Sequence, residues 1–247
     1  MMTGYRLVWF QHLHKAAGTY VIRRAMANGE TFWPNHENGN PIENGEVLQL
    51  WNLDSNELND FVDKCEKDGV TFVACEWGGP DYDALVNDER VVLLTCLRDP
   101  IKRLISNYNY DHYWMWTKAK SYSEYLAEEN LHSTPEYYTR IFSRETDLSI
   151  AIEVKHHTQS LENLAKFDRV IIAENGMDTL NELGWKNESD TTHPTFGNKN
   201  RILHLLRKLR LKRCWNYIKQ VKHIPTESLN INKLNRFDIL LYEKMSE

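Results

Sequence analysis

The sequence predicts an α/β fold in which helices flank a central parallel β-sheet. Short apolar runs at residues 7–10, 70–75, 91–96 and 170–173 alternate along the chain with segments of helical periodicity. Runs that are continuously apolar are typical of strands buried on both faces of a sheet. Because helical sequence separates the runs, right-handed crossovers between parallel strands are expected.

Boundary residues indicate where several helices begin and end. Asp99 is a predicted N-cap with Pro100 at the first helical position, and Gly69 is a predicted stop for an earlier helix. Ser121 begins a helical pattern that continues to residue 167. Ligands of parallel sheets bind at the carboxyl ends of the strands, so the segments that follow the strands are the candidate sites.

We predict a single domain over residues 1–247, because a chain of this length with 41% hydrophobic residues can bury one large core. Residues 28–53 carry recurring Asn-Gly pairs and no apolar period, which predicts an irregular insertion. Residues 191–226 contain no acidic residue, and a basic segment at 199–222 includes the run RKLRLKR. This segment is a solvated helix, an electrostatic guide for an anionic ligand, or a contact for an acidic polymer or membrane face; we favour the first two together.

Charge and cysteine content argue against several classes of protein. The formal net charge of -5 disfavours general nucleic-acid binding. The four cysteines lack metal-ligand spacing and are expected to be reduced thiols in the core. No basic and apolar leader precedes the first strand, and no apolar run approaches the roughly 20 residues of a membrane span. We therefore expect a soluble, cytoplasmic protein that binds no metal; its oligomeric state is left open.

The loop after the first strand has the chemistry of an anion site. Its sequence is HLHKAAGT, residues 12–19. A turn from strand to helix directs backbone N–H groups at one point, where the helix dipole favours an anion. Lys15 adds a positive charge, Gly18 permits close backbone approach, and Thr19 offers a hydroxyl. In a Walker A loop the lysine follows the second glycine, so this order excludes an ordinary nucleoside triphosphatase.

The same loop resembles the 5′-phosphosulfate loop of sulfotransferases. In the carbohydrate branch of that family the loop reads close to His-Ile-Pro-Lys-Thr-Gly-Gly-Thr. Here His14, Ala16 and Ala17 replace the usual proline, hydroxyl residue and first glycine. These departures affect one of the expected phosphate contacts.

A second stretch, LRDPIKRLISNY at residues 97–108, resembles the 3′-phosphate element of the family. Arg98 ends a strand and offers a planar fork to a phosphate, and Ser106 lies about two helical turns further on. Arg103 either adds charge nearby or faces solvent. Residues 167–184 resemble the family's late strand and helix, and the closing residues 240–245 its terminal helix.

The resemblance implies a sulfotransferase fold of the P-loop-like type, with 3′-phosphoadenosine 5′-phosphosulfate (PAPS) as donor and adenosine 3′,5′-bisphosphate (PAP) as product. Late basic residues of this family close over the nucleotide, and here they fall in the basic segment. The cofactor-binding residues that the resemblance implies are Lys15, Ala16, Ala17, Gly18, Thr19, Tyr20, Arg98, Ser106, Lys199 and Arg201.

Sulfuryl transfer needs charge stabilisation on the leaving phosphate and a base for the proton of the acceptor. We assign the first role to Lys15. Glu76 ends an apolar strand at a position where the carbohydrate branch often has a histidine, and it is the predicted base; a purely structural carboxylate is the alternative. Of His12 and His14, one is expected to pack within the loop and the other to assist the acceptor.

The expected acceptor is a small molecule, such as a natural product, or a carbohydrate. Aromatic residues around His112 are expected to form a packed surface and are candidates to line the acceptor pocket. Two other functions are kept open. One is a non-catalytic nucleotide-binding module, and the other is a phosphoryl-transfer enzyme of related fold, which would require magnesium.

Overall fold

The computed structural model describes residues 4–34, 36–37, 39–187, 198–219 and 231–247. Short 3₁₀ helices occur at Leu50–Asn52, Ala173–Asn175 and Asp178–Leu183. The strands and α-helices, in chain order, are β1 (Leu7–Gln11), α1 (Gly18–Ala27), β2 (His36–Glu37), β3 (Asn40–Glu43), β4 (Glu46–Val47), α2 (Ser55–Asp68), β5 (Phe72–Cys75), α3 (Tyr82–Val86), β6 (Val91–Leu97), α4 (Pro100–Trp114), α5 (Tyr122–Leu126), α6 (Tyr137–Ser143), α7 (Val154–Leu164), β7 (Arg169–Ile172), α8 (Asn198–Arg207), α9 (Leu211–Lys219), α10 (Ile231–Leu234) and α11 (Arg236–Ser246).

A parallel sheet of four strands, in the order β5-β1-β6-β7, forms the centre of the fold. The α/β class with a parallel sheet flanked by helices is therefore confirmed. Strand positions agree with the sequence to within two residues. The largest difference is at β5, which begins at Phe72 because Val70 and Thr71 donate their backbone N–H groups to Cys65 (2.8 Å) and Thr31 (2.8 Å) instead of a strand partner.

Each face of the sheet has its own apolar layer, because successive strand residues point to opposite sides. Trp9 packs in the layer that includes residues of α2, α3, α6 and α7. Val8 and Phe10 pack in the layer formed with α1 and with residues near Trp185. All residues of β1 are buried, which explains the unbroken apolar run at residues 7–10.

Residues 28–53 are more regular than predicted. They contain a small antiparallel sheet of three strands, β2-β3-β4, followed by a 3₁₀ helix. Asn44 (φ 55°) and Gly45 (φ 85°) form the turn between β3 and β4, where left-handed conformations suit a two-residue hairpin. Strands of two to four residues are too short to leave an apolar period in the sequence, so the prediction of an irregular insertion was wrong for this part.

The predicted helix boundaries are confirmed. Asp99 caps α4, since its side chain accepts a hydrogen bond from the Lys102 amide at 2.8 Å, and Pro100 is the first helical residue. Gly69 ends α2 in the left-handed region with φ 69°. The Ser121 side chain accepts from the Glu124 amide at 3.2 Å and caps α5.

The structure differs from the sequence prediction at the helix expected after β7. After β7 the chain forms two 3₁₀ helices rather than an α-helix, and Gly176, with φ 94°, separates them. The terminal helix is present as α11 and is longer than residues 240–245. The four cysteines are free and buried, as expected. Among the helices in the described ranges, none combines the length and apolarity that crossing a bilayer requires.

Two carboxylates tie α6 to α11. Asp238, buried in the first turn of α11, accepts hydrogen bonds from the amides of Tyr138 (2.9 Å) and Thr139 (2.8 Å) in α6. In return Glu136 accepts from the amides of Phe237 (3.0 Å) and Asp238 (2.8 Å). Each helix therefore has its N-terminal amides satisfied by a carboxylate from the other.

Asp238→Ala should lower the free energy of unfolding by about 3 kcal/mol, because buried amides of α6 lose their acceptor. Urea denaturation measures this change. Asp147→Ala is the matched control, since Asp147 is an exposed carboxylate that bonds to Ser149 two residues on. The control should change stability by less than about 1 kcal/mol. Equal losses in the two variants would contradict the role of Asp238.

Candidate functional site

Three adjacent strand ends bring the predicted site residues together. The strands β5, β1 and β6 are neighbours and parallel, so the segments that follow them meet at the carboxyl edge of the sheet. Arg98, after β6, donates from Nη1 to the backbone oxygen of Lys15 at 3.4 Å. Glu76, after β5, lies with its Oε1 atom 2.7 Å from Nδ1 of His14 in the loop after β1.

The N-cap residue of α1 provides no side-chain cap at this edge. This residue, Ala17, is in the left-handed region with φ 65°, makes no side-chain cap hydrogen bond, and is followed by a first turn without acidic residues. By contrast, α2, α3 and α4 begin with the aspartate caps Asp54, Asp81 and Asp99. The positive end of the α1 dipole therefore faces the site without a neutralising carboxylate of its own cap.

Residues of the loop and of the first turn of α1 have different surroundings. Ala16 is buried in the core, while Thr19 is exposed and Tyr20 is half-buried against the layer of α1. A Cβ atom on Gly18 would lie 1.9 Å from Nε2 of His12. The space that glycine provides is thus filled by the His12 ring, whereas the sequence suggested that it serves close approach of a ligand.

The side chain of Lys15 lies against α4. Its Nζ atom lies 4.0 Å from the centroid of the Tyr110 ring, on α4, at a distance suited to a cation–π interaction. The Lys15 backbone has φ 65°, a conformation that a lysine adopts only when its surroundings fix it. The Tyr110 ring therefore holds the ammonium group, and its positive charge acts on the nearby His14 and Asp111.

Glu76 and His14 form a buried pair. The side chain of Glu76 is 6% exposed and that of His14 17% exposed. The other carboxylate oxygen, Oε2, lies 3.9 Å from Nδ1 of His12. The backbone of the insertion closes over this pair, because a Cβ on Gly39 would lie 2.6 Å from Oε2 of Glu76, and the buried Asn40 accepts from the Glu76 amide at 2.9 Å.

Burial, together with the charges of Lys15 and Arg103, lowers the pKa of His14 to about 3. The imidazole is therefore neutral at neutral pH. In the tautomer that carries its proton on Nδ1, His14 donates a hydrogen bond to Oε1 of Glu76. His14 thus orients the carboxylate and does not itself titrate in the physiological range.

His132 belongs to this site although the sequence did not reveal it. Its ring stacks on that of His14 with centroids 4.5 Å apart, and burial lowers the pKa of His132 to about 3. Its backbone oxygen accepts hydrogen bonds from Arg103 (2.9 Å) and Asn107 (3.1 Å) on α4. His132 lies between α5 and α6 outside any motif, so only the tertiary structure brings it to the site.

Three buried polar residues lie on one face of α4, and two of them bond to His132. Arg103, Asn107 and Asp111 recur every four residues and are at most 6% exposed. Arg103 packs over the Tyr137 ring at 4.3 Å, so the alternative that it faces solvent was wrong. Burial raises the pKa of Asp111 to about 6. The spacing of these three polar residues places them on one helical face, and this pattern is present in the sequence.

Within the described part of the chain, no hydrogen bond or ion pair joins the remaining predicted residues to Lys15, Glu76 or Arg98. Ser106 is half-buried on α4, two turns beyond Arg98. His112 packs against Tyr108 and bonds to the Ala119 backbone oxygen at 2.7 Å, which confirms the packed aromatic surface. The side chains of Lys199 and Arg201 lie outside the described residues. Within the described ranges, no group of three or more His, Cys, Asp or Glu side chains is placed to hold a metal ion.

Two comparisons with known proteins found no match. No protein-family model matches the chain, and no curated protein has a sequence that matches it significantly.

Proposed function

We propose that this chain is a sulfotransferase that moves the sulfuryl group of PAPS to a hydroxyl or amine of a small-molecule or carbohydrate acceptor. The observation that carries the proposal is the convergence of Lys15, Arg98 and Glu76 from three adjacent strand ends. The start of α1 at the same edge, whose N-cap residue provides no side-chain cap, adds a second element that favours an anion. The two motifs that resemble the family lie in these same segments.

The proposed reaction is an in-line displacement at sulfur. The acceptor oxygen or nitrogen attacks the sulfur atom, and the bond between sulfur and the bridging oxygen of the phosphosulfate breaks. Glu76 takes the proton of the acceptor, and PAP leaves with the additional negative charge on its 5′-phosphate. Lys15 and the amides at the start of α1 stabilise that charge as it develops.

Glu76 is the proposed base, and His14 is proposed to orient its carboxylate. His14 donates from Nδ1 to Oε1, which fixes the direction of the carboxylate and leaves Oε2 for the proton of the acceptor. The carboxylate also lies close to the backbone of the insertion at Gly39. Residues 39–43 are therefore proposed to form one wall of the acceptor site.

Incubation with isotopically labelled PAPS and a pool of metabolites tests the proposed activity. We expect a sulfate-sized mass gain on an acceptor, formed without added magnesium. Transfer of a phosphoryl group that depends on magnesium would support the phosphoryl-transfer alternative instead. Equal binding of PAPS and PAP with no transfer to any acceptor would support a nucleotide-binding module.

Arg98→Ala should weaken PAP binding by roughly tenfold or more, because a charge-assisted contact with the 3′-phosphate contributes about 1.5–3 kcal/mol. Binding of adenosine 5′-monophosphate, which lacks that phosphate, should change little. Titration calorimetry with the two nucleotides measures both effects. Arg169→Ala is the matched control, since Arg169 begins β7 at the opposite edge of the same sheet. A parallel loss of both nucleotides in Arg98→Ala would show that this arginine does not read the 3′-phosphate.

A further inference from the structure

The described part of the basic segment forms a helical hairpin, α8 and α9, that packs on α4. The hairpin contacts the rest of the protein through a small apolar cluster in which Leu205 and Cys214 are buried and Trp114 and Ile202 pack beside them. Arg213 lies over the Trp114 ring at 4.9 Å. The buried contact therefore uses few of the apolar residues that the hairpin contains.

Among the side chains of the hairpin that the structure describes, most of the large apolar ones are exposed. Leu211, Trp215 and Ile218 are 62%, 58% and 51% exposed, and their spacing puts them on one stripe of α9. Leu203 and Leu206 add exposed apolar surface on α8. Several large exposed apolar side chains on two helices that pack together are typical of an interaction site.

The turn between the two helices extends this surface. The amide of Arg210 donates to the Leu205 oxygen and that of Leu209 to the Leu206 oxygen, each at 2.9 Å, which is the bonding pattern of a Schellman motif. Leu209 occupies the left-handed position of the motif, with φ 51°, where glycine is usual. The left-handed backbone of this leucine is strained. Its side chain is 84% exposed, so it is also unfavourably hydrated.

Positive charges border the apolar stripe. The side chains of Arg207, Lys208, Arg210 and Lys212 are exposed. The surrounding residues 191–226 contain no acidic residue that would neutralise them. Exposed leucines and a tryptophan bordered by lysine and arginine are the composition of a helix that lies in the interface of an anionic bilayer. Two copies of this surface would repel each other, which disfavours self-association through it.

We propose that the α8–α9 hairpin docks this protein on an anionic membrane surface, with Leu209 and the stripe of α9 inserted among the acyl chains and the basic side chains at the headgroups. The inference is independent of the proposed enzymatic function. It takes up the third sequence-based interpretation of the segment, contact with a membrane face, which was not the favoured one. The exposed apolar stripe that supports it is visible only once the face that packs on α4 is known.

Sedimentation with vesicles tests the proposal. The full chain should bind vesicles of phosphatidylcholine with about 30% phosphatidylserine, bind pure phosphatidylcholine vesicles much more weakly, and lose binding as salt concentration rises. Arg210→Glu combined with Lys212→Glu should reduce the partition coefficient on the anionic vesicles by roughly tenfold or more.

Leu209→Gly separates membrane contact from folding. Glycine relieves the left-handed strain, so the melting temperature should be unchanged or higher, while vesicle binding should fall by about fivefold to tenfold. Val154→Ala, at a similarly exposed apolar residue of α7, is the matched control and should bind as the unaltered chain does. Unchanged vesicle binding in both Leu209→Gly and the charge-reversed variant would overturn the proposal. So would absence of binding to anionic vesicles, whether or not the hairpin binds an acidic protein or a second copy instead.

Discussion

Glu76→Gln is expected to lower turnover roughly 100-fold or more, the usual scale for loss of a positioned base. Glutamine preserves the size of the side chain and can still accept the hydrogen bond from Nδ1 of His14, which lies 2.7 Å from Oε1. The substitution therefore removes basicity without opening the buried pair. PAP binding and the melting temperature should be nearly unchanged.

His14→Gln separates the base from the residue that orients it. Burial lowers the pKa of His14 to about 3, so its loss should affect the direction of the carboxylate rather than proton transfer itself. Turnover should fall less than in Glu76→Gln. Glu182→Gln is a control for charge, since Glu182 is an exposed partner of Arg169. If Glu76→Gln retains turnover within a few-fold, or if His14→Gln is the more damaging variant, the base is a histidine. If Glu76→Gln unfolds the protein, Glu76 is a structural carboxylate.

Lys15→Ala should lower kcat by roughly 100-fold to 1000-fold, the scale for loss of a group that stabilises charge in the transition state. The charge of Lys15 is fixed near the site by the Tyr110 ring, 4.0 Å from Nζ. Because the leaving phosphate gains its charge as the sulfur–oxygen bond breaks, the KM for the acceptor should change much less than kcat. Steady-state kinetics with saturating donor measure both.

Lys155→Ala is the matched control for Lys15→Ala. Lys155 is a 70% exposed lysine of α7 whose ammonium group lies 3.4 Å from Glu153, so its removal changes the net charge equally without touching the edge of the sheet. Turnover of the control should be unaltered. Unchanged turnover in Lys15→Ala would refute the assignment, and equal loss in both variants would indicate a general electrostatic effect.

The central sheet was predictable because strands that are buried on both faces have nearly continuous apolar sequences. The strands β1 and β6 are buried along nearly their whole length, and they are apolar except for Gln11 at the end of β1 and Thr95 in β6. The small sheet in residues 28–53 lacks such sequences. Its longest strand, β3, has four residues, and one of them is the buried Asn40, whose role is to bind the Glu76 amide. A polar residue fixed by a distant backbone cannot be distinguished from a loop residue in the sequence.

The site was predictable where residues directly follow strands, and it was missed where helices and loops supply the support. Lys15 and Arg98 were identified from motifs that resemble a known family, and Glu76 from its place after an apolar strand; parallel strands predict that all three lie at one edge. The pairing of Glu76 with His14 and the stacking of His132 on His14 depend on how α4 and α6 pack over that edge. Those contacts join residues more than 60 positions apart, for which one sequence gives no signal.

The central claim is that the carboxyl edge of this sheet binds the nucleotide of a sulfuryl donor. Its most direct test is the ratio of the dissociation constants of adenosine 5′-monophosphate and PAP, measured by calorimetry on the unaltered chain. A dedicated 3′-phosphate site predicts that PAP binds at least about tenfold more tightly, since one charge-assisted contact of about 1.5–3 kcal/mol distinguishes the two. Equal affinities for the two nucleotides, or no binding of either, would contradict the account.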